Sequence, residues 1–351
     1  MGAKDQRAQV TRVIGTALLH TPWLRRLGRI SFLGTLDAHP KIRNPSSRLE
    51  HSVGVAALGA KVAQGLELSE SDARVFVAAC LLHDVGHFPL SHAAEAAFKR
   101  AVGADHHDMT RAVILGDGAI ERARSLRPVL ERQSIEPDAV WALIDGDGGS
   151  DPRLTHLLRA RINLDTLEGI VRVAANFRVR KSNLPRRIFG WKEGELCIHA
   201  KALAAVDEFW ALKDRVYDEV INLPSNILAE ARLSELVAQE IGDGIFSRFE
   251  SFDDAALAKA LGQRFDEIQL RGREDDDYVL RTRGGRGEVL VRTRKRYFVD
   301  RRVGEGESLA ASRWGDRYKH EKVRSFLISR NQQLELPGVH LDAPEFEAPE
   351  I

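Results

Sequence analysis

The 351 residues carry 52 Lys or Arg against 51 Asp or Glu, a net charge of +1, and 43% of them are hydrophobic. Such a chain is long enough for one large or two smaller globular domains, and its balance excludes a global field that would draw it onto nucleic acid or membrane. Two cysteines, Cys80 and Cys197, are too few for a disulfide framework or a thiolate metal site, which suits a reducing cytoplasm. The polar start from Met1 to Thr11 does not read as a signal peptide. No apolar run approaches the roughly 18 residues of a membrane span, so a cytoplasmic protein without membrane contact is expected.

From Thr11 to Gly34 apolar residues recur at mixed spacings of three and four, and Pro22 divides them into two short helices. Residues 36–47 hold prolines and paired serines and read as a loop, with Ser46 or Ser47 capping a helix from Leu49 to about Leu66 that has His51 in its first turn. The next helix, about Ser71 to His83 with Ser69 or Ser71 as cap, contains the apolar run from Val75 to Leu82, so His83 and Asp84 lie at a buried helix end. Gly86 and Pro89 are the residues that stop this helix and start another, Pro89 to Val102. Asp105-His106-His107-Asp108 opens a helix that Gly116 and Gly118 end.

Helices at about 119–131 and 138–144 follow. The string from Asp145 to Asp151 has the look of a calcium loop but lacks its closing glutamate and reads as a connector. A helix from Arg153 to about Phe177 carries Asp165. A short β-hairpin is expected over 187–191 and 195–199, then two long helices at about 200–221 and 225–241. After Gly242 the texture changes to a helix near 253–264 and alternating segments at 278–282, 288–293 and 296–299. The expected fold is mainly α, with a helical core over residues 1–242 and a smaller α+β region over 243–351 that ends in a frayed tail from Pro337.

Six of the twelve histidines (His51, His83, His87, His92, His106 and His107) fall between positions 51 and 107. A lone histidine is usually a satisfied core or surface group, but here His83 adjoins Asp84, His51 follows Arg48-Leu-Glu, and Asp165 sits in an otherwise apolar helix. A buried imidazole beside a buried carboxylate is costly unless something pairs them, and a divalent cation satisfies both. Nitrogen and oxygen donors from separate helices suit Mn, Fe, Co, Ni or Zn, with Mg as an auxiliary ion, and leave positions open for water and substrate.

The stretches Arg48-Leu-Glu-His51, His83-Asp84-Val-Gly-His87-Phe-Pro-Leu-Ser-His92 and the later Asp165 resemble the H…HD…D signature of HD-domain phosphohydrolases. Within that family the chain looks most like the deoxynucleoside triphosphate triphosphohydrolases, a likeness that spans about residues 11–240 and includes Leu24 to Gly34, Leu157 to Asp165 and Lys201 to Tyr217. The resemblance implies an HD-domain helical core, with His51, His83, Asp84 and Asp165 as metal ligands. It also implies catalytic roles for His87, Glu95 and His107, a substrate-binding place for His92, a nucleotide substrate cleaved to nucleoside and tripolyphosphate, and a homo-oligomer. Arg48, one turn before His51, fits phosphate binding, since a guanidinium forks onto phosphate oxygens.

The chain departs from the family at positions that hold sugar and phosphate. Glu168-Gly169 and Arg172-Val173 replace an Asp-Tyr and an Arg-Asp pair, Phe32 replaces a glutamine, and Ile221-Asn-Leu-Pro224 replaces a Tyr-x-His-Lys ending. Residues 271–302 hold eleven Arg or Lys against six acids, an excess that on alternating strands could track a nucleic-acid backbone or form a solvated ribbon. Two alternatives therefore stand beside the triphosphohydrolase: a metal-dependent phosphodiesterase or nuclease on cyclic nucleotide, DNA or RNA, and a nucleotide- or nucleic-acid-binding module with a degenerate site.

Overall fold

The structure, a computed structural model, describes residues 2–42, 44–146, 152–159, 163–179 and 202–268 together with six short strands. It is mainly helical. Helices α1 (Ala3–Ile14) and α2 (Pro22–Leu27) lead through a loop to α3 (Arg48–Gly65), whose start is fixed by a reciprocal capping box between Ser47 and Glu50. Helix α4 (Glu70–Leu82) is capped by Ser69, which accepts from Asp72 N, and buries every side chain from Phe76 to Leu82. Small residues let α3 and α4 approach closely: a Cβ on Gly59 would lie 2.7 Å from Cys80 Sγ. The cost of that tight seam is a helix end, and with it His83 and Asp84, delivered into the interior.

Pro89 does not start the next helix. Leu90 and Ser91 adopt left-handed φ values of 60° and 54°, which no α-helix includes, so α5 runs from His92 to Val102. Helix α6 (His106–Leu115) opens on Asp105, which accepts from the amides of His107 and Asp108, and closes at Gly116 with φ 73°. Helices α7 (Arg127–Arg132) and α8 (Pro137–Asp145) follow. The single helix expected over 153–177 is two, α9 (Pro152–Arg159) and α10 (Leu164–Asn176), because the Asn163 side chain caps α10 at Thr166 N. Beyond Gly146 the expected connector lies outside the described residues.

The expected hairpin is present as antiparallel β1 (Phe189–Lys192) and β2 (Glu195–Ile198). Helix α11 (Leu203–Val216) continues into one π turn and is followed by α12 (Pro224–Glu240). The change of texture at Gly242 is not a break in packing. Ile245, Phe249 and Phe252, then Leu257 and Leu261 of α13 (Asp254–Leu261) and Phe265 and Ile268 of α14 (Gln263–Ile268), belong to the same large apolar core as α1, α3 and α4. A second cluster joins Phe32, Leu33 and Leu36 to α10 and α11.

The alternating segments near 278 and 288 form β3 (Tyr278–Arg281) and β4 (Val289–Lys295), and the third, at 296–299, lies outside the described residues. Between β3 and β4 lies β5 (Lys322–Arg330), antiparallel to both, a strand without an expected counterpart. From the tail, β6 (Phe346–Glu347) pairs parallel to β4. The side chains of the basic stretch 271–302 are outside the described set. No described helix is long and apolar enough to cross a membrane.

Candidate metal centre

Helices α3, α4 and α10 bring together the four residues expected as ligands. His51 Nε2 lies 2.9 Å from Asp165 Oδ1 and 3.7 Å from Asp84 Oδ2, while His83 Nε2 lies 3.4 Å from Asp84 Oδ1 and 3.8 Å from Asp165 Oδ1. His51 Nδ1 is 2.7 Å from Glu168 Oε2, and His83 Nδ1 is 2.9 Å from the Cys80 carbonyl. Both partners are acceptors, so each Nδ1 carries a proton, and a cation that displaced the second proton would find a lone pair on each Nε2. Both Nε2 atoms are buried and neither makes a well-directed hydrogen bond, although His51 Nε2 stands only 2.9 Å from Asp165 Oδ1. Two such nitrogens aimed at the space between two carboxylates fit a divalent cation with nitrogen and oxygen ligands.

The electrostatics agree. Burial would push the two imidazoles toward neutrality, yet Asp165 and Glu168 raise His51, and Asp84 with Asp165 raises His83 to about 9. Burial opposes ionisation of Asp84 and Asp165, but His83, His87 and Arg48 hold Asp84 far below the carboxylate range, and His51 and His83 do the same to Asp165. The apposed charges are those a cation would take over. Of the four expected ligands, Asp165 alone has a substantially accessible side chain, at 42%, and so marks the open side of the site.

Arg48 is placed differently from expectation. It is buried, with Nη1 on Asp84 Oδ2 at 2.8 Å and Nε on Ser91 Oγ at 2.7 Å, and its guanidinium rests 4.8 Å from the Phe32 ring centroid. Phe32 in turn stacks on His51 at 4.6 Å. Two of the five Arg48 donors are committed to protein oxygens, an arrangement that ties Asp84 to the turn carrying Ser91. Glu168, which the sequence shows only as a departure from a family pattern, holds His51 and is itself held by Arg172. Its signal was positional: three residues after Asp165, it shares that ligand's face of α10.

A second cluster adjoins the first. His92 Nδ1 is 2.8 Å from Glu95 Oε2, His106 Nδ1 makes a short contact with Glu95 Oε1, and the His87 and His106 rings stack at 4.3 Å, 3° from parallel. Nitrogens of His87, His92 and His106 lie within 4.8 Å of one another. The parallel planes of His87 and His106 and the hold of Glu95 on His106 Nδ1 nevertheless keep their lone pairs from converging as in the first cluster. His87 Nε2 lies 3.3 Å from Asp84 Oδ1 and joins the two clusters. Burial and Arg48 push His87 well below the usual imidazole range and lower His92 as well. Glu95 overcomes burial to raise His106, and the two imidazoles hold Glu95 below the carboxylate range. The result is a charged His106–Glu95 pair beside a neutral His87.

His107 is not part of this cluster. Its Nε2 contacts Asp145 Oδ1 at 2.9 Å and its ring lies 4.8 Å from Trp141, toward α8. Successive helical residues are about 100° apart, and the Asp105 cap turns His106 inward with buried Met109, Thr110 and Val113. The turn 83–91 is pressed onto α6: a Cβ on Gly86 would lie 2.1 Å from Thr110 N. The left-handed Leu90 and Ser91 cost on the order of 1–3 kcal/mol each, and such strain persists where surrounding contacts over-determine it.

Residues 48–209 match the HD domain family model. Among curated proteins, the Bacillus subtilis protein YwfO is 26% identical over 232 residues, covering 63% of this chain and 50% of YwfO. An uncharacterized Methanocaldococcus jannaschii protein is 26% identical over 232 residues, covering 65% of this chain and 47% of its own. The chain thus spans about half the length of these relatives. Among solved structures, a phosphohydrolase from Bacteroides thetaiotaomicron superposes with a TM-score of 0.71 at 15% identity, over 90% of this chain and 94% of that one, which is a likeness of fold.

Proposed function

Taking the HD-domain match over residues 48–209 as premise, we propose that the chain is a metal-dependent phosphohydrolase acting on nucleotides. The observation that carries this reading is the pair of buried Nε2 atoms, on His51 and His83, facing Asp84 and Asp165 and adjoined by a charged His106–Glu95 pair. A divalent ion held by those four residues supplies Lewis acidity and charge neutralisation at a phosphoryl group. The other steps belong to this chain's side chains. Arg48 fixes the orientation of Asp84, and Glu168 that of His51. His106, kept protonated by Glu95, is the general acid for the departing oxygen as water attacks the phosphorus, and neutral His87 stacks on it without adding a second charge beside Asp84.

The proposed substrate is a nucleoside triphosphate, cleaved to nucleoside and tripolyphosphate. A Cβ on Gly169 would already touch Phe32 and His51, at 3.5 and 3.7 Å, and Val173 is buried in the second apolar cluster, so neither position offers a sugar hydroxyl a partner. A site that does not pair a hydroxyl loses little by accepting an analogue without it, so discrimination of about 10⁴ between ribose and deoxyribose is not expected from these positions. The test is product analysis after incubation with Mn, Co or Mg and a panel of ribo- and deoxynucleoside triphosphates, cyclic dinucleotides and single-stranded DNA and RNA, with Asp84→Ala as control. Metal-dependent tripolyphosphate release supports the proposal. Shortened or nicked polymers would transfer the assignment to a nuclease, and no turnover despite bound metal would leave a binding module.

A further inference from the structure

The turn that carries His87 is held by a segment far along the chain. Leu90 N donates to Asp254 Oδ1 and Ser31 N donates to Asp254 Oδ2, both at 2.8 Å, so one carboxylate in the first turn of α13 fixes backbone amides from two separate loops. The loops so joined are also bonded to each other, because Ser91 Oγ donates to the Ser31 carbonyl at 2.5 Å. The same hydroxyl accepts from Arg48 Nε at 2.7 Å, and Arg48 Nη1 donates to Asp84 Oδ2 at 2.8 Å. Ser91, Arg48 and Asp84 are all buried. An unbroken series of hydrogen bonds therefore runs from α13 to a proposed metal ligand, through a turn whose two left-handed residues are not glycine.

Neighbouring contacts keep that series in register. Arg26 spans the same two segments, with Nε on the Phe252 carbonyl at 2.8 Å and Nη2 on the His87 carbonyl at 2.6 Å. Gly34, with φ +59°, allows the first loop to lie against the turn, since a Cβ there would stand 2.4 Å from the Leu90 carbonyl oxygen. Asp253, next in sequence, is an internal control. It caps α13 at Ala256 N and pairs with Arg29 Nε, and neither contact reaches the turn.

We propose that Asp254 is a positioning residue of the metal centre, acting through Ser91 and Arg48 on Asp84. The inference rests on reading His51, His83, Asp84 and Asp165 as the ligands. Asp254 makes none of the ligand contacts itself. It holds Leu90 and Ser31 so that the Ser91 hydroxyl stays between the Ser31 carbonyl and Arg48, and without that anchor Arg48 can rotate and take Asp84 Oδ2 out of line.

The test is Mn(II) affinity of the full chain, measured by competition with a chromophoric chelator, for the parent, Asp254→Asn, Ser91→Ala, the double variant, Asp253→Asn and Asp84→Ala. Asp254→Asn keeps the shape but turns an amide NH2 toward one of the two backbone N–H groups. It is expected to weaken Mn(II) binding about tenfold, the lower end of what outer-shell changes do, and Ser91→Ala to do the same. The double variant should be no more than about threefold weaker than either single, because both break one series. Asp253→Asn, which keeps the cap and gives up only the Arg29 ion pair, should leave affinity within about twofold of the parent. Parent-like affinity in Asp254→Asn, equal weakening in Asp253→Asn, or fully additive losses would each overturn the proposal. If Asp254→Asn does not fold, Ser91→Ala decides alone, with parent-like affinity as the negative result. A parent that binds Mn(II) no better than Asp84→Ala would instead overturn the ligand assignment, and the proposal with it.

Discussion

His106 and His107 share the first turn of α6, yet His106 meets Glu95 while His107 contacts Asp145. His106→Ala should therefore lower kcat by about 10²–10⁴, the usual worth of a general acid. His107→Ala should change it less than about tenfold, and steady-state kinetics on the same substrate separates the two. A larger loss from His107→Ala would return the acid role to that residue. The inward choice was open to inspection in the sequence, since His106 leads the stripe Met109, Thr110, Val113 while Arg111 points outward four residues after His107. The adjacent His-Asp pair and the preceding Arg-Leu-Glu-His run were legible because local spacing defines them. Glu168 was not, because its meaning depends on His51, 117 positions away.

At the scale of elements, the glycines show where helices press on the site. Gly86→Ala would set a Cβ against the backbone amide of Thr110, with no flexible side chain able to give way, and should cost about 3 kcal/mol. Gly65→Ala, near the end of α3 with nothing within 4 Å, should instead stabilise by about 0.5–1 kcal/mol. Denaturant midpoints at constant m-value read both, and equal signs would mean the close approach of 83–91 to α6 is wrong. Helix starts marked by Ser47, Ser69 and Asp105, and the stop at Gly116, were legible because a cap is a local bond. The start of α5 was not, because Pro89 satisfies every local criterion and is overruled by the left-handed pair that follows, which distant contacts from α13 hold in place.

Over the whole molecule, the mainly α fold and the hairpin follow from periodicity and turn residues, whereas the continuity of the core past Gly242 does not, since it depends on which apolar faces find each other. One buried group ties stability to pH. Burial raises Asp37 from 3.8 to about 7, with one oxygen accepting from Leu33 N and the other buried without a partner. The folded chain thus binds that proton more tightly than the unfolded chain, and the associated stability, complete below about pH 4, is lost as pH rises through 7. A fully buried shift of this size is worth roughly 4 kcal/mol, and about half is expected for a carboxyl that is only partly enclosed. Asp37→Asn should accordingly be about 2 kcal/mol more stable than the parent at pH 8, with the gap closing toward pH 5. A pH-independent difference in urea unfolding would show that Asp37 does not titrate in this way. The long reach from His51 to α10 has a kinetic meaning too. A loop that long closes late in folding, so α10 would complete the socket only after α3 and α4 have brought His51 to His83 and Asp84. A cation held there would then act as a seal on a finished fold, slowing escape from the native state more than it would hasten arrival there.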